Sequence, residues 1–288
     1  MKIIYSTVGR RTPDNTLRPL NAEELQLQDP NLINIPLEAG FDLETPLNGV
    51  SPVDQMKNIK LTDWESSKLD WDQINLSQKQ GQTRFRSHLT GFLNQLKPHL
   101  KPGSKVIFAH LMAGGIPRAK ILMPLFNRIF KGQNDRYLSS KLFWDSELGK
   151  LCGKCFSEVT AWTFKTLLEE SQEIQNWLEK NGGYARYLAF GYHGTEVHSP
   201  SKNLFWQAYP SYLQGWAKNE LESYSNSHSV VFNCPEIMTS SSSIFVGVEI
   251  TLYCLIRDLA LSSNPHAKKM VHKIAELLKQ KTNQFPLI

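Results

Sequence analysis

Hydrophobic positions along this chain of 288 residues change their spacing several times, and each spacing predicts an element. Lys2 to Tyr5 is an apolar run of the length of a short buried strand, followed by the turn Ser6-Thr7-Val8-Gly9-Arg10-Arg11. Residues 12–80 are rich in Pro, Asn, Asp and Gln and carry only brief apolar runs, at Leu32 to Ile35 and Ile59 to Leu61. From Thr83 the pattern becomes helical: Phe85, Leu89, Phe92, Leu93 and Leu96 recur until Pro98 stops the run. Lys105 to His110 (KVIFAH) is a near-continuous apolar strand of the kind buried in a parallel sheet, and it runs into Leu111-Met112-Ala113-Gly114-Gly115. Helices are expected at 118–131 and 145–180. The second ends at the stop signal Asn181-Gly182-Gly183 and is too long to be straight, so Gly149 or Gly153 is expected to break it. Ala185 to Phe190 and Ser229 to Asn233 read as two further buried strands, and helices at 244–261 and 266–281 close the pattern. Helix and strand alternate from residue 83 onward, which implies an α/β fold built on a parallel sheet covered on both faces.

Composition narrows the class. Hydrophobic residues make up 41% and charged residues 20%, as in ordinary globular enzymes. The net charge of +5 comes from scattered basic residues, which argues against a dedicated nucleic-acid surface. The first apolar run is too short for a signal peptide, and no stretch reaches the roughly 18 apolar residues of a membrane span, so a soluble cytoplasmic protein is expected. Cys152 and Cys155 form one CxxC in a helical stretch, far from Cys234 and Cys254. A zinc site needs a second pair or histidines at ligand spacing, so the expectation is reduced thiols and no metal.

The segment Tyr209 to Glu222 (YPSYLQGWAKNELE) brings Gly215, Ala217 and Leu221 close together on one side of a helix, with Lys218 inside that stripe. A lysine on a close-packed face needs a partner for its ammonium group, and the upstream tyrosines are the nearest candidates. Small residues also follow the carboxyl ends of the strands, where open α/β sheets receive ligands: Gly114 after the first central strand, Gly191-Tyr192-His193-Gly194 after the second, and Cys234-Pro235 after the third. The turn after the opening strand offers one glycine, Gly9, for close backbone approach to a pyrophosphate.

Taken in order, AHLMAGG, GYHGTE, the Tyr-to-Lys segment with GWAKNELE, and NCPEIMT resemble the enoyl-acyl-carrier-protein reductase branch of the short-chain dehydrogenase/reductase superfamily, over about residues 83–255. The resemblance implies a Rossmann-like, doubly wound parallel sheet with helices on both faces, in a single domain over 1–288 of which 1–82 is the divergent part. It implies NADH or NADPH as cofactor, an enoyl thioester on acyl carrier protein or CoA as substrate, and a homo-oligomer, dimer or tetramer, beside the absence of a nucleic-acid or membrane partner expected from charge and apolar run length. The long helix around Trp162 and Phe164 and the apolar helix Ile244 to Leu261 point to the same assembly. By the same resemblance Lys218 holds the nicotinamide ribose and supports a catalytic tyrosine. Pro235, Ile237 and Thr239 contact cofactor phosphate or carboxamide, Gly114 lies beside adenosine, and Tyr192 lines the substrate pocket. The chain departs from the pattern at the single Gly9 and at Gln284 to Ile288, where no last strand with paired glycines is visible.

Two tyrosines compete for the catalytic place. Eight residues separate Tyr209 from Lys218 and five separate Tyr212 from it. At about 100° per residue Tyr212 lies about 120° round the helix from Lys218, whereas Pro210 at the first helical position leaves Tyr209 in the preceding turn. Tyr209 is the first choice and Tyr212 the second. Reduction of a trans-2-enoyl thioester leaves negative charge on the thioester oxygen, which a phenol near an ammonium group can stabilise. His193 and His198 are possible proton relays on loops, where lone histidines are more often surface residues. The alternative is a catalytically silent protein of the same fold that binds a ligand or a partner.

Overall fold

Asp70 starts the longest helix, α2 (Trp71–Leu96), its side chain accepting a hydrogen bond from the Gln73 amide at 3.0 Å. The structure, a computed structural model, describes residues 2–41, 43, 45–46, 49–112, 114–130, 140–191, 215–233 and 256–282. The helix begins twelve residues before the expected Thr83, because its first turns bury Ile74, Ser77, Gln78 and Gly81 rather than a continuous apolar stripe. Before it come β1 (Tyr5–Thr7), the short strands β2 (Arg10–Arg11) and β3 (Leu17–Arg18), α1 (Ala22–Gln26) and β4 (Leu32–Pro36). The first strand is therefore later than the expected Lys2 to Tyr5. Its ladder is set by β4, which it pairs in parallel from Tyr5↔Leu32, and the Tyr5 amide donates to Asn31 O.

After α2 the chain alternates as its pattern implies. β5 is Lys105–His110, β6 is Tyr184–Gly191 and β7 is Ser229–Asn233, all parallel in the order β5-β6-β7. Between β5 and β6 lie α3 (Leu122–Phe130), α4 (Ser140–Asp145), α5 (Glu147–Ser157), a π turn (Glu158–Trp162), α6 (Thr163–Glu170) and α7 (Gln172–Lys180). Helix α8 (Gly215–Ser223) precedes β7, and residues 256–261 and α9 (Pro265–Thr282) are helical. Parallel α/β architecture is as expected, but the strands form two separate parallel ladders among the described residues, β1-β4 and β5-β6-β7, with β2-β3 a small antiparallel hairpin.

The break expected at Gly149 or Gly153 falls elsewhere. Both glycines lie inside α5, and a Cβ on Gly149 would sit 1.9 Å from Phe143 O, so that glycine permits close packing of α4 on α5. The axis is interrupted by the π turn and at Ser171, whose hydroxyl turns back to Leu167 O and also meets the Tyr187 hydroxyl at 2.7 Å. Gly182 closes α7 with φ 75°, as its stop signal predicts.

Two apolar clusters hold these elements. One contains Trp64, Phe126, Phe143, Leu148, Leu151 and Phe156, and Cys152 and Cys155 belong to it. Burial pushes both thiols up, so they act as small apolar side chains rather than nucleophiles or ligands. The other packs Phe85, Leu89 and Phe92 of α2 with Phe164, Leu178 and the inward faces of β5 and β6, where Phe108 stacks on Tyr187 at 5.2 Å. Ile33 and Leu37 share that cluster, so both parallel ladders rest on one core. Phe164 is fully buried and contributes nothing to an outer surface, unlike its half-exposed neighbour Trp162. On the opposite face of the three-stranded sheet, Ile107, Val230 and Phe232 are exposed.

Gly81 marks the tightest crossing of α2 with the chain before it, since a Cβ there would lie 2.3 Å from Gly40 O. Gly81→Ala should lower unfolding free energy by about 1–3 kcal/mol in urea titrations, because backbone must move to admit the methyl group. Gly91→Ala in the same helix meets only the Ile35 Cδ1 tip at 3.3 Å and should stay within about 1 kcal/mol of wild type. Equal effects of the two would contradict the crossing.

Candidate active site

Helix α8 bridges the two apolar clusters. Ala217 is buried in one and Leu221, one turn later, in the other. The residue after Ala217 is carried inward with it, which is why Lys218 is only 4% exposed. Its ammonium Nζ donates to the carbonyl of Phe190 at 2.8 Å. Phe190 is the penultimate residue of β6, and β6 pairs with β5 through His110↔Ala189, so this carbonyl lies one residue beyond the end of β5. The lysine is thus fixed at the carboxyl edge of the parallel sheet. The expected stripe is confirmed at Ala217 and Leu221, and the described partner of Lys218 is a strand-end carbonyl. The tyrosines expected beside it, Tyr192, Tyr209 and Tyr212, lie outside the described residues, as do Pro235, Ile237, Thr239, His193, His198, Cys234 and Cys254.

Next to this lysine the structure places a residue that the sequence pattern passed over. His110, the last residue of β5, is buried, with Nε2 2.8 Å from the Thr163 hydroxyl and its ring 5.4 Å from that of Phe164. Thr163 opens α6 directly after the π turn and spends its own proton on Val159 O at 2.7 Å. Burial, reinforced by the positive charge of Lys218, pushes the imidazole down to about 4. The signal in the sequence was the polar end of an otherwise apolar strand, a position that reads as strand termination.

The π turn carries a second buried group. Glu158 Oε2 accepts from Gln78 Nε2 at 2.9 Å and Gln82 Nε2 at 2.8 Å, and desolvation holds its carboxyl above the usual range. This ties α2 to the turn, and the indole of Trp162 donates to Glu220 Oε1 at 2.6 Å, tying the turn to α8.

A cleft of about 1130 Å³ opens between the two parallel ladders. Thr7, Val8 and Glu38 line it from one side, and His110, Gly115 and Thr163 from the other. Lys218 is not on its wall, although its charge acts on His110, which is. Glu38, two residues past β4, holds Arg11, whose Nε donates to both carboxylate oxygens at 3.1 Å. Gly9 has φ 75° and a Cβ there would lie 2.4 Å from Pro36 Cβ, so the turn does demand glycine. The chain then enters the β2-β3 hairpin instead of a helix, and the Gly9 amide donates to the Thr7 hydroxyl, which leaves no helix N-terminus at this turn for a pyrophosphate. Gly114 has φ 119° and open space around it. The close approach is made by Gly115, where a Cβ would sit 2.5 Å from Cys155 O.

An α/β chain with parallel strands and a cleft reaching their carboxyl ends has the layout in which open sheets take their ligands. Residues 1–286 match the family model described as enoyl-acyl carrier protein reductase FabMG, and the chain belongs to that family. Among solved structures it is similar to one described as the apo structure of FabMG, a novel type of enoyl-acyl carrier protein reductase, with 42% identity and a TM-score of 0.78 over 93% of this chain. It is also similar to one described as the NADH-bound structure of FabMG, with 36% identity and a TM-score of 0.63 over 96% of this chain. The chain spans 63% of the length of the first and 66% of the second. No curated protein matches it significantly.

The depressed His110 value has a defined effect on stability. An unfolded histidine titrates near 6.5, so between about pH 6.5 and pH 4 the unfolded chain binds a proton that the folded chain refuses. Stability from this group is complete above pH 6.5 and falls as the pH drops toward 4, by roughly 3 kcal/mol. Comparing urea unfolding of wild type and His110→Gln across that range should show a steeper acid loss in wild type. Parallel curves would contradict the buried neutral imidazole.

Proposed function

We propose that the protein reduces the trans-2 double bond of an enoyl thioester, carried by acyl carrier protein or CoA, with NADH used in preference to NADPH. The observation that carries this is Lys218, an ammonium held at the carboxyl edge of a parallel sheet by Phe190 O, in a chain of the FabMG family. The residues present suit a dinucleotide. Glu38 and His110 line the cleft at the ends of parallel strands, and Lys218, off the cleft wall at the carboxyl edge of β6, is the cation assigned to the ribose from that edge. When bound, the cofactor supplies the hydride.

Lys218 holds the nicotinamide ribose and favours the phenol of Tyr209 as donor to the thioester oxygen, where charge develops. Tyr212 is the second choice for that donor, and Tyr192 the pocket wall. Pro235, Ile237, Thr239 and Gly114 remain the proposed cofactor contacts, while the structure lends no support to Gly9 as a phosphate-binding turn. Glu38 occupies the place after the second parallel strand where a carboxylate accepts from the adenosine ribose 2′-hydroxyl and repels a 2′-phosphate. The relative described as NADH-bound supports NADH as a cofactor of this site. The proposal also takes the two parallel ladders as parts of one doubly wound sheet in a single domain, working in the cytoplasm as a homo-oligomer. The exposed Val230 and Phe232 support such an assembly. No helix among the described residues is long and apolar enough to cross a membrane.

With crotonyl-CoA as substrate, Tyr209→Phe should lower kcat by about 10² with little change in NADH affinity, since the lost hydroxyl acts on charge that develops during reaction. Tyr212→Phe should be mild, and the reverse order would transfer the role to Tyr212. Binding of NADH without turnover by wild type would favour the silent binding protein instead.

Glu38→Gln removes the carboxylate that discriminates against a 2′-phosphate and releases the Arg11 guanidinium to meet it. The ratio of kcat/KM for NADPH to that for NADH should rise by about 10-fold or more. An unchanged ratio would remove Glu38 from cofactor choice.

A further inference from the structure

We propose that His110, locked as one neutral tautomer by Thr163, is a positioning residue that seats Lys218 at the carboxyl edge of β6. The inference rests on the role given to Lys218 above and extends it to two residues that the reductase chemistry does not itself require.

The tautomer follows from the hydrogen bonds. Thr163 Oγ1 gives its proton to Val159 O, so toward His110 it can only accept. Nε2 must therefore carry the ring proton, and Nδ1 must carry a lone pair. That Nδ1 is buried and has no hydrogen-bond partner. The opposite tautomer would turn a buried N–H toward a cation and set two lone pairs against each other at Thr163, which is the costlier arrangement. The π turn makes the lock available, because it supplies Val159 O and places Thr163 under the end of β5.

Position links the lock to the lysine. His110 pairs with Ala189, and the carbonyl that receives Lys218 belongs to the next residue, Phe190. On the elements packed around His110, the charged groups of the π turn and α8 are Glu158, Lys218, Glu220 and Glu222. Glu158 is engaged by Gln78 and Gln82, and Glu220 by Trp162 and Tyr224. Glu222 is a full turn beyond Lys218 and partly exposed. Lys218 is the charge that acts on the imidazole. A neutral ring presents no competing charge to the buried ammonium, and its Nδ1 lone pair is the polarity a cation favours. A ring free to change tautomer or to protonate would press Lys218 away from Phe190 O.

The test has one arm independent of turnover. Imidazole ¹⁵N NMR of the full chain should report the Nε2–H tautomer for His110 in wild type, and Lys218→Met should raise its titration from about 4 while burial, the larger cause, still holds it below the ordinary value. In the second arm, Thr163→Val should raise KM for NADH and lower kcat/KM with crotonyl-CoA on the order of 10-fold, while Thr163→Ser, which keeps the acceptor, should restore both. A titration of His110 unmoved by Lys218→Met, or a Thr163→Ser variant as impaired as Thr163→Val, overturns the proposal. Absence of turnover in wild type would count instead against the reductase function, with the NMR arm still deciding on the lock.

Discussion

A buried ammonium group governs the arrangement of this end of the molecule. Lys218 is nearly inaccessible, and removing a charge from water is tolerated only where oriented acceptors replace the hydration. The carbonyl of Phe190 meets that need because it lies at the carboxyl end of β6, one residue beyond the end of β5, and because α8 is pinned on either side of the lysine by Ala217 and Leu221. Burial, reinforced by the positive charge of Lys218, likewise keeps the neighbouring imidazole neutral.

The fixed charge is braced from three directions. Glu158 connects α2 to the π turn through Gln78 and Gln82, Trp162 connects the turn to α8 through Glu220, and Thr163 connects it to the end of β5. A π turn displaces the residues after it round the helix axis, and here that displacement sets Thr163 under His110 while Trp162 reaches α8. The tight crossing of Gly81 on Gly40 brings the loop after β4, with Glu38, against the same scaffold. The carboxylate proposed to choose the cofactor and the lysine proposed to hold it are thus attached to one packed frame.

Much of this was legible in the chain. β5 and β7 fall where their apolar runs placed them, β6 is longer by a residue at each end, and Gly182 ends α7 as its stop signal required. These are local patterns, and local patterns survive in the fold. What could not be read depended on partners distant in sequence. The first ladder begins at Tyr5 because β4 offers pairing only there, and the break at Ser171 exists because its hydroxyl answers Leu167 O and Tyr187. Lys218 was found because a charge inside a small-residue stripe is locally conspicuous. His110 and Glu38 were passed over because a polar residue at a strand end looks like termination until the neighbouring elements are in place.

A crystal structure of the protein with NADH tests the central claim most directly. The account predicts the nicotinamide ribose at the carboxyl ends of β5 and β6, with a hydroxyl about 3 Å from Lys218 Nζ, and the adenosine ribose 2′-hydroxyl on Glu38. A dinucleotide seated elsewhere, with Lys218 touching no part of it, would contradict the account.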